Sequence, residues 1–410
     1  MSRSRAYIAG VLCLLPALAQ QRFPSETITA EGIDIPGQIL TKLTGLKIGD
    51  LVDDAAFQLA AQKLQQTGLF AEVGFRYTPG PKKAGYALIL SLKDHPQRIS
   101  ALFDFPGKPE EPIWACVKQQ LPWLKNPLPA AGTAQDYIAH LAESCMPGVA
   151  PVVASMETNI ATRKMELVFQ PRDLPHVSSL EFSGVQKVTT KAVQEALAAV
   201  ATDSQFTERR FRSLLELNLR PFYENHGILN VRFGSITFTP LDAGHVSVST
   251  AIEEGLIYKL GEVTIEGPDL PGDVAGAQAK FKRGQTAAWN QILKSIEDLE
   301  KPLRKTGYIQ VRSTTARALH DADAALALTV RVEKGKQYFF QSLSLQGTPA
   351  GMEDRLRKMW KLPAESPMDE PYMIEYWKSI LQLPEIKNLK VSTSMRPLPG
   401  NKVDVVVAIR

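Results

Sequence analysis

Residues 227–231 read GILNV, residues 307–311 read GYIQV and residues 68–73 read GLFAEV. In each stretch, a glycine suited to ending a helix is followed within two residues by a large apolar side chain, and then by alternating apolar residues. The residues that define this motif are Gly68, Phe70, Gly227, Ile228, Gly307 and Tyr308. Because the copies at Gly227 and Gly307 lie about 80 residues apart, the motif predicts a repeated structural module.

Each motif has similar surroundings. An apolar stripe of helical period precedes the first copy and includes Val52, Ala56 and Leu64. Two alternating stretches follow each motif, as in a hairpin, and a further strand stands before the helices. That strand often ends in glycine, at Gly32, Gly184, Gly267 and Gly347. The sequence therefore predicts an α+β fold of tandem βααββ modules, each a small three-stranded mixed sheet covered by two helices.

The order strand-helix-helix-strand-strand, with glycine and an apolar residue after the second helix, resembles the POTRA (polypeptide-transport-associated) domain. Five such modules resemble the periplasmic arm of BamA-type outer-membrane protein assembly factors. The predicted modules are 26–95, 98–172, 177–255, 257–335 and 338–410. The resemblance implies a scaffold for polypeptides.

The sequence departs from the family pattern in three places. The second module is degenerate and has residues 146–149 (MPGV) at the motif, and the fifth has Asn388 in place of glycine. BamA-type proteins continue into a membrane β-barrel, whereas this sequence ends at Arg410. The expectation is either a relative without the barrel or a fragment of a longer protein.

Residues 1–19 have the pattern of a secretory signal peptide. Arg3 and Arg5 precede a short apolar run, and a small-x-small site predicts cleavage between Ala19 and Gln20. The alternative, an uncleaved anchor, is disfavoured because the run of about ten residues is shorter than the ~20 that a spanning helix needs. We therefore expect a periplasmic protein associated with the outer membrane of a Gram-negative-type bacterium.

The cysteines fit an exported protein. Cys13 leaves with the leader, and Cys116 and Cys145 remain as an even pair. Disulfides persist in oxidising compartments, so this pair is a disulfide candidate, with two buried free thiols as the alternative.

Composition and motifs give no indication of an enzyme. The 47 basic and 43 acidic residues leave a net charge of +4, without the basic excess typical of nucleic-acid-binding proteins. The sequence has no H-E-x-x-H, G-x-S-x-G or phosphate-loop motif, and its six histidines are scattered. We expect no catalytic residues, metal, cofactor or small-molecule substrate.

The strand after each second helix is expected at a sheet edge, because the POTRA resemblance implies it. These strands are 72–79, 151–158, 229–239, 309–318 and 389–396. An edge strand can pair with an extended peptide through its main chain. The candidate binding edge is in the third module, at Val231, Arg232, Phe233 and Ser235, with outward N–H groups expected at Arg232 and Ser235. The alternative is that charged side chains blunt these edges and leave them unused.

Two functions remain open at this stage. The first is a scaffold in outer-membrane β-barrel assembly that binds unfolded outer-membrane proteins, an outer-membrane barrel or its lipoprotein partners. The second is a structural or secretion-associated adaptor that docks one defined envelope partner.

Two smaller features have alternative interpretations. Pro221 and Pro302 precede the helix-ending glycines of their modules and predict a shared bend, or coincide by chance. Aromatic residues in the fifth module form either a docking patch or ordinary packing: Trp360, Tyr372, Tyr376 and Trp377.

Overall fold

The computed structural model describes residues 22–149, 151–160 and 162–410. The predicted leader and its cleavage site at Ala19 and Gln20 lie outside these residues. The chain forms two compact units, one reaching His176 and including Gln205–Arg210, the other made of Val177–Ser204 and Phe211–Arg410. We number the predicted modules 1 to 5 in chain order.

Module 1 contains a four-stranded sheet in the order β2-β1-β4-β3. Strands β1 and β4 are parallel, and β3 is antiparallel to β4. Asp53 is the N-cap of the second helix, and its carboxylate accepts a hydrogen bond from the Ala56 N–H at 2.9 Å. The elements are β1 (Phe23–Glu31), α1 (Gly37–Thr44), β2 (Leu51–Val52), α2 (Asp54–Gln66), β3 (Glu72–Pro79) and β4 (Tyr86–Lys93).

Module 2 has a three-stranded sheet, β6-β9-β8, and a separate short pair, β5-β7. A disulfide joins Cys116 to Cys145, with Cα atoms 5.9 Å apart, and so links the two helices of this module. The elements are β5 (Arg98–Ile99), β6 (Ala101–Phe103), α3 (Glu110–Gln120), β7 (Leu128–Pro129), α4 (Gly132–Cys145), β8 (Val152–Thr158) and β9 (Met165–Pro171).

Module 3 has the sheet order β10-β12-β11. A π-helical turn at Leu215–Leu219 separates two short helices, directly before Pro221. The elements are β10 (His176–Ser183), α5 (Thr190–Ala201), α6 (Glu208–Leu214), α7 (Arg220–Asn225), β11 (Arg232–Pro240) and β12 (His245–Glu253).

Module 4 has the order β13-β15-β14 and a single long second helix that contains Pro302. The two prolines therefore do not share one helical geometry, since only Pro221 follows a π-helical turn. The elements are β13 (Lys259–Glu266), α8 (Gly272–Ala275), a 3-10 turn (Ala277–Lys280), α9 (Trp289–Lys305), β14 (Arg312–His320) and β15 (Ala325–Glu333).

Module 5 has the order β16-β18-β17. A 3-10 turn at Pro384–Ile386 follows its second helix and accounts for the missing motif glycine, because the chain leaves the helix by a different turn. The elements are β16 (Phe339–Gln346), α10 (Glu353–Met359), α11 (Glu370–Leu381), β17 (Val391–Leu398) and β18 (Lys402–Ile409).

Each core lies between one sheet face and the two helices. In module 4, alternate residues of β15 are buried and meet the apolar stripe of α9. The buried side chains are Leu326, Leu328, Val330 and Val332 on β15, and Ile292, Ile296, Leu299 and Leu303 on α9. The predicted α+β class with tandem βααββ modules is confirmed.

The strand-ending glycines allow a close main-chain approach inside modules 1, 3 and 5. At Gly32 the φ angle is +92°, and a Cβ would lie 2.2 Å from the Leu92 carbonyl oxygen. Gly184 and Gly347 have φ angles of +79° and +67°, and a Cβ there would lie 2.3 Å from the Ile252 carbonyl oxygen and 2.1 Å from that of Ile409. Only glycine fits a positive φ at such a distance without strain.

Candidate functional site: the hairpin edges

The strand after the second helix lies at one edge of its sheet in every module, as expected. These strands, which we call the hairpin edges, are β3, β8, β11, β14 and β17. Their outward main-chain groups are the candidate site, because an added strand would pair with them.

Along a strand of an antiparallel pair, the N–H and C=O groups of successive residues point alternately toward the partner strand and away from it. The groups that point away at a hairpin edge are the outward groups. In module 5, Lys390 and Arg410 exchange two main-chain hydrogen bonds, at 2.7 and 2.9 Å, and so form a bonded pair. Outward groups therefore belong to alternate residues, starting at Val391 in this module. The last of them, Pro397, has no N–H to donate.

A side chain from the second helix covers the first outward group in four modules. In module 2 the Glu143 carboxylate accepts the Val152 N–H at 2.7 Å; the His140 side chain lowers the pKa of Glu143 most, and the bond from Val152 lowers it further. In modules 3 to 5 the covered group is a carbonyl. The donors and acceptors are Arg220 to Val231 at 3.0 Å, Arg304 to Val311 at 3.4 Å, and Trp377 to Val391 at 3.3 Å.

Module 3 closes its hairpin edge further. The Arg212 guanidinium donates to the carbonyls of Phe233, at 2.8 Å, and of Gly234. The pairing of β11 with β12 also shifts between Phe233 and Ile236, which marks a β-bulge. The first half of β11 is therefore unsuited to pairing with another strand.

This arrangement corrects the predicted candidate edge. Because the Val231 carbonyl faces Arg220, the next residue, Arg232, has its main chain directed to its partner Glu253. The Leu241 N–H bonds to the His245 carbonyl, so Leu241 is directed inward. Every second residue before it has the same direction, and this places the main chain of Ser235 inward as well. The predicted outward N–H groups at Arg232 and Ser235 are thus wrong, because the pairing and the bulge direct the main chain of both residues toward β12. The side chain of Val231 is buried and that of Phe233 is half-buried.

Module 4 has the longest uninterrupted hairpin edge. All nine residues of β14, Arg312–His320, pair with β15 in one register, and no proline occurs among them. Since the Val311 carbonyl faces Arg304, alternation gives four outward positions. These are Ser313, Thr315, Arg317 and Leu319. Among the described residues, no side chain donates a hydrogen bond to a main-chain carbonyl of β14.

The opposite edge, formed by the first strand, carries a side-chain donor in modules 3 to 5. Each donor comes from a helix or loop of the same module and occupies an edge carbonyl. The pairs are Gln194 to Leu180 at 3.0 Å, Arg283 to Gly261 at 2.9 Å, and Arg357 to Leu343 at 3.0 Å. One main-chain carbonyl of each first-strand edge in these modules is thus already occupied.

The motif glycines lie where one module meets the next. Gly227 and Gly307 have φ angles of +78° and +92°, and their carbonyls accept the N–H groups of Tyr258 at 2.9 Å and Tyr338 at 2.8 Å. A Cβ at Gly307 would lie 2.5 Å from the Tyr338 carbonyl oxygen. The glycine therefore ends a helix and also permits close contact with the following module.

The other motif residues have two different environments. Phe70 and Ile228 are fully buried in their modules. Tyr308 is half-buried, with the Lys334 ammonium 5.2 Å from its ring centroid. In module 1 the corresponding Gly68 carbonyl contacts the His95 side chain, with Nε2 at 2.7 Å.

Sequence reasoning missed the side chains that join modules 3 and 4. Arg317 lies 3.3 Å from the Trp289 ring centroid and forms an ion pair with Glu224 at 2.8 Å. Helix α9 has Ala288 at its N-cap, without a capping side chain, and the Asn225 side-chain oxygen accepts the Asn290 N–H at 3.0 Å instead. An alanine at an N-cap is a signal that could have suggested a cap from elsewhere in the chain.

The aromatic residues of module 5 are packing residues rather than an open patch. Trp360 contacts Phe340, Tyr372 and Tyr376 with ring centroids 5.0, 5.2 and 4.9 Å away. Trp377 is half-buried and donates to the Val391 carbonyl. The docking-patch interpretation of these residues is not supported.

Over the described residues, no group of three or more His, Cys, Asp or Glu side chains is arranged to hold a metal ion. In the same part of the chain, no helix combines the length and apolar character needed to span a bilayer.

No protein-family model matches the chain. Solved structures that are similar to it include BamA POTRA domains 3–5 from Haemophilus influenzae, with 19% identity, a TM-score of 0.47, and coverage of 58% of this chain and 96% of that chain. POTRA domains 1–3 of Omp85 from Anabaena have 16% identity, a TM-score of 0.26, and coverage of 57% and 94%. The N-terminal domain of Omp85 from Thermosynechococcus elongatus has 12% identity, a TM-score of 0.20, and coverage of 76% and 98%. Two of these three structures are thus described as POTRA domains, and the third as an N-terminal domain of Omp85.

Proposed function

We propose that the chain is a periplasmic polypeptide-binding scaffold that takes part in the assembly or insertion of outer-membrane β-barrel proteins. Its clients or partners are unfolded outer-membrane proteins, or a barrel and its lipoproteins, and they bind by β-strand addition. The observation that carries this proposal is the open hairpin edge β14, which has nine residues in one register and four outward main-chain positions.

Main-chain pairing suits clients of many sequences. An added strand bonds to N–H and C=O groups that every residue has, so affinity depends little on client side chains. Two of the four outward positions of β14, Ser313 and Thr315, have small polar side chains. The disulfide in module 2 supports a location in an oxidising compartment such as the periplasm.

The covered edges favour a second candidate, an adaptor for one defined envelope partner. Donors occupy the first-strand edges of modules 3 to 5, and Arg212 occupies part of β11. A chain with few open edges has few places to hold clients at once. A single stable complex with one partner would favour this candidate over the scaffold.

Proline substitution at an outward position tests strand addition. Thr315→Pro removes one outward N–H, and we expect it to weaken binding of an extended peptide, with alternating apolar and polar residues as in a barrel strand, about tenfold. Thr315→Ala keeps the N–H and should bind like the parent. Phe233→Pro, at an outward position of β11 whose carbonyl is already bound by Arg212, is the matched control and should change binding less than twofold.

Fluorescence anisotropy of the labelled peptide measures the affinities, and circular dichroism with thermal melting confirms that each variant is folded. If folded Thr315→Pro binds as well as the parent, strand addition at β14 is excluded.

A further inference from the structure

The helical side of module 4 carries an unusual concentration of lysines. They lie on and beside the 3-10 turn Ala277–Lys280 and along α9, and we call this surface the lysine cleft. Its members are Lys280, Lys282, Lys294, Lys301 and Lys305, arranged around Asp298.

The cleft has two adjoining lobes. One cavity of about 390 Å³ is lined by Lys280, Lys282 and Lys294, and a neighbouring one of about 540 Å³ is lined by Lys280, Lys301 and Lys305. Asp298 lines both lobes, and Lys280 does too, so the two cavities meet at these residues.

Helical geometry explains why these lysines face one way. Lys294, Asp298, Lys301 and Lys305 follow one another at intervals of four, three and four residues, which places them on one face of α9. At 1.5 Å per residue the stripe is roughly 16 Å long, enough to contact two separate anionic groups.

The positive charge of the cleft is only partly neutralised. The Asp298 carboxylate is bound by the Lys301 ammonium at 3.0 Å, and this bond, with the nearby charges of Lys301, Lys294 and Lys280, lowers the pKa of Asp298. Lys280 itself donates to the main-chain oxygen of Asp298, at 2.7 Å.

The acids near the cleft are few. The Asp298 carboxylate raises the pKa of Lys301 most, and the charge of Glu297 raises it further. Across the residues that the structure describes, no salt bridge joins Lys282, Lys294 or Lys305 to an acid. The cleft therefore presents a positive field with several ammonium donors, accompanied by the polar side chains of Gln285 and Gln291.

We propose that the lysine cleft binds a ligand carrying two phosphate-type groups, one in each lobe. Lysine ammonium groups recognise phosphate oxygens as compact point charges, and a phosphate dianion would be paired by the lysines that have no acidic partner. The same chemistry is offered by neighbouring headgroups of an anionic lipid bilayer and by a soluble bisphosphate.

Two probes distinguish an anionic bilayer from a soluble bisphosphate as the source of the phosphate groups. Vesicles of phosphatidylglycerol mixed into phosphatidylcholine represent the bilayer, with pure phosphatidylcholine as blank, and 1,6-hexanediol bisphosphate represents a soluble ligand. Flotation measures the first and calorimetry the second, both with the full chain at low and at high salt. Binding to either probe that weakens with salt supports the proposal and identifies the source.

Variants then locate the site. Lys280→Gln with Lys294→Gln should weaken binding by about tenfold or more, because each lysine near an anionic surface contributes severalfold to affinity. The matched control, Lys191→Gln with Lys358→Gln, changes the net charge equally on exposed residues of modules 3 and 5 and should change binding less than twofold. Asp298→Asn should strengthen binding, an outcome that a merely structural role of Asp298 would not produce.

Melting curves establish that each variant is folded. The proposal is overturned if neither probe binds, or if the control pair weakens binding as much as the cleft pair.

Discussion

Modules 3 and 4 have the same strand order but differ at the hairpin edge. In module 3, Arg212 occupies two edge carbonyls and a bulge interrupts β11, whereas in module 4 the strand β14 pairs regularly over nine residues. The difference lies in one side chain from a helix and in one extra residue in a strand. A single fold thus provides both a closed and an open edge, and local substitutions determine which one a module has.

The largest effect is expected from removal of the disulfide in module 2, which belongs to neither of these two edges. This change tests whether peptide binding at β14 depends on module 2. Replacing Cys116 and Cys145 with serine removes a cross-link between residues 29 apart and should lower the unfolding free energy of the first unit by about 3–4 kcal/mol. Urea denaturation with and without reductant measures the loss. Peptide affinity through β14 should not change; a parallel loss of affinity would show that the edge depends on module 2.

The next effect tests the assignment of inward and outward residues on β14. Thr314 pairs with Arg331 and is directed inward, so Thr314→Pro removes a ladder hydrogen bond and should destabilise the second unit by about 2–3 kcal/mol. Thr315→Pro should cost clearly less. If chemical denaturation ranks the two variants in the opposite order, the pairing parity is reversed and the outward groups are those of Thr314 and its alternates.

Removing the guanidinium that closes β11 should have a smaller effect. Arg212→Met keeps an apolar stem but loses two hydrogen bonds to main-chain carbonyls, which should cost about 1–2 kcal/mol of unfolding free energy. In the Thr315→Pro background it should restore part of the peptide affinity, because β11 is then accessible. Arg212→Lys serves as the control that retains charge, and no recovery with methionine would assign the closure to the bulge alone.

The smallest effect concerns module 5, where a buried carboxylate joins all three strands. Asp404 on β18 accepts from Arg396 on β17 at 2.6 Å and from Ser342 on β16 at 2.7 Å, and Arg396 lowers the pKa of Asp404 most. Because the folded pKa is lower than the unfolded one, this stabilisation is present above about pH 4 and is lost as pH falls through the folded value.

Asp404→Asn should therefore cost about 1 kcal/mol at pH 7 and flatten the acid limb of the stability profile. Denaturation between neutral and acidic pH measures both. An unchanged acid limb in the variant would mean that other carboxylates dominate acid unfolding.

The features that depend on local spacing were predictable from the sequence. The motif glycines and the strand-ending glycines follow from chirality, periodicity and turn chemistry within a few residues. The edge position of the hairpin strands was expected only from the resemblance to POTRA domains. The closure of β11 depends on Arg212, which lies about 20 residues before the carbonyls that it binds. That contact is set by how helix and sheet pack, and no local pattern encodes it.

The bulge at Gly234 and Ser235 had a weak signal. A glycine within an alternating strand is a known mark of a bulge, and considering it would have changed the assignment of Arg232 and Ser235. The lysine stripe on α9 was also visible as spacing, but the position of Lys280 beside Asp298 required the tertiary structure.

The cap that Asn225 provides to α9 makes neighbouring modules thermodynamically dependent on each other. A helix that takes its N-cap from the preceding module loses that partner when the preceding module unfolds, at a cost of about 1 kcal/mol. In a linear array, such nearest-neighbour terms make unfolding spread along the chain rather than remain within one repeat. A module 4 moved behind another module would therefore keep this cap only if that module ended in a side chain that can accept the Asn290 N–H.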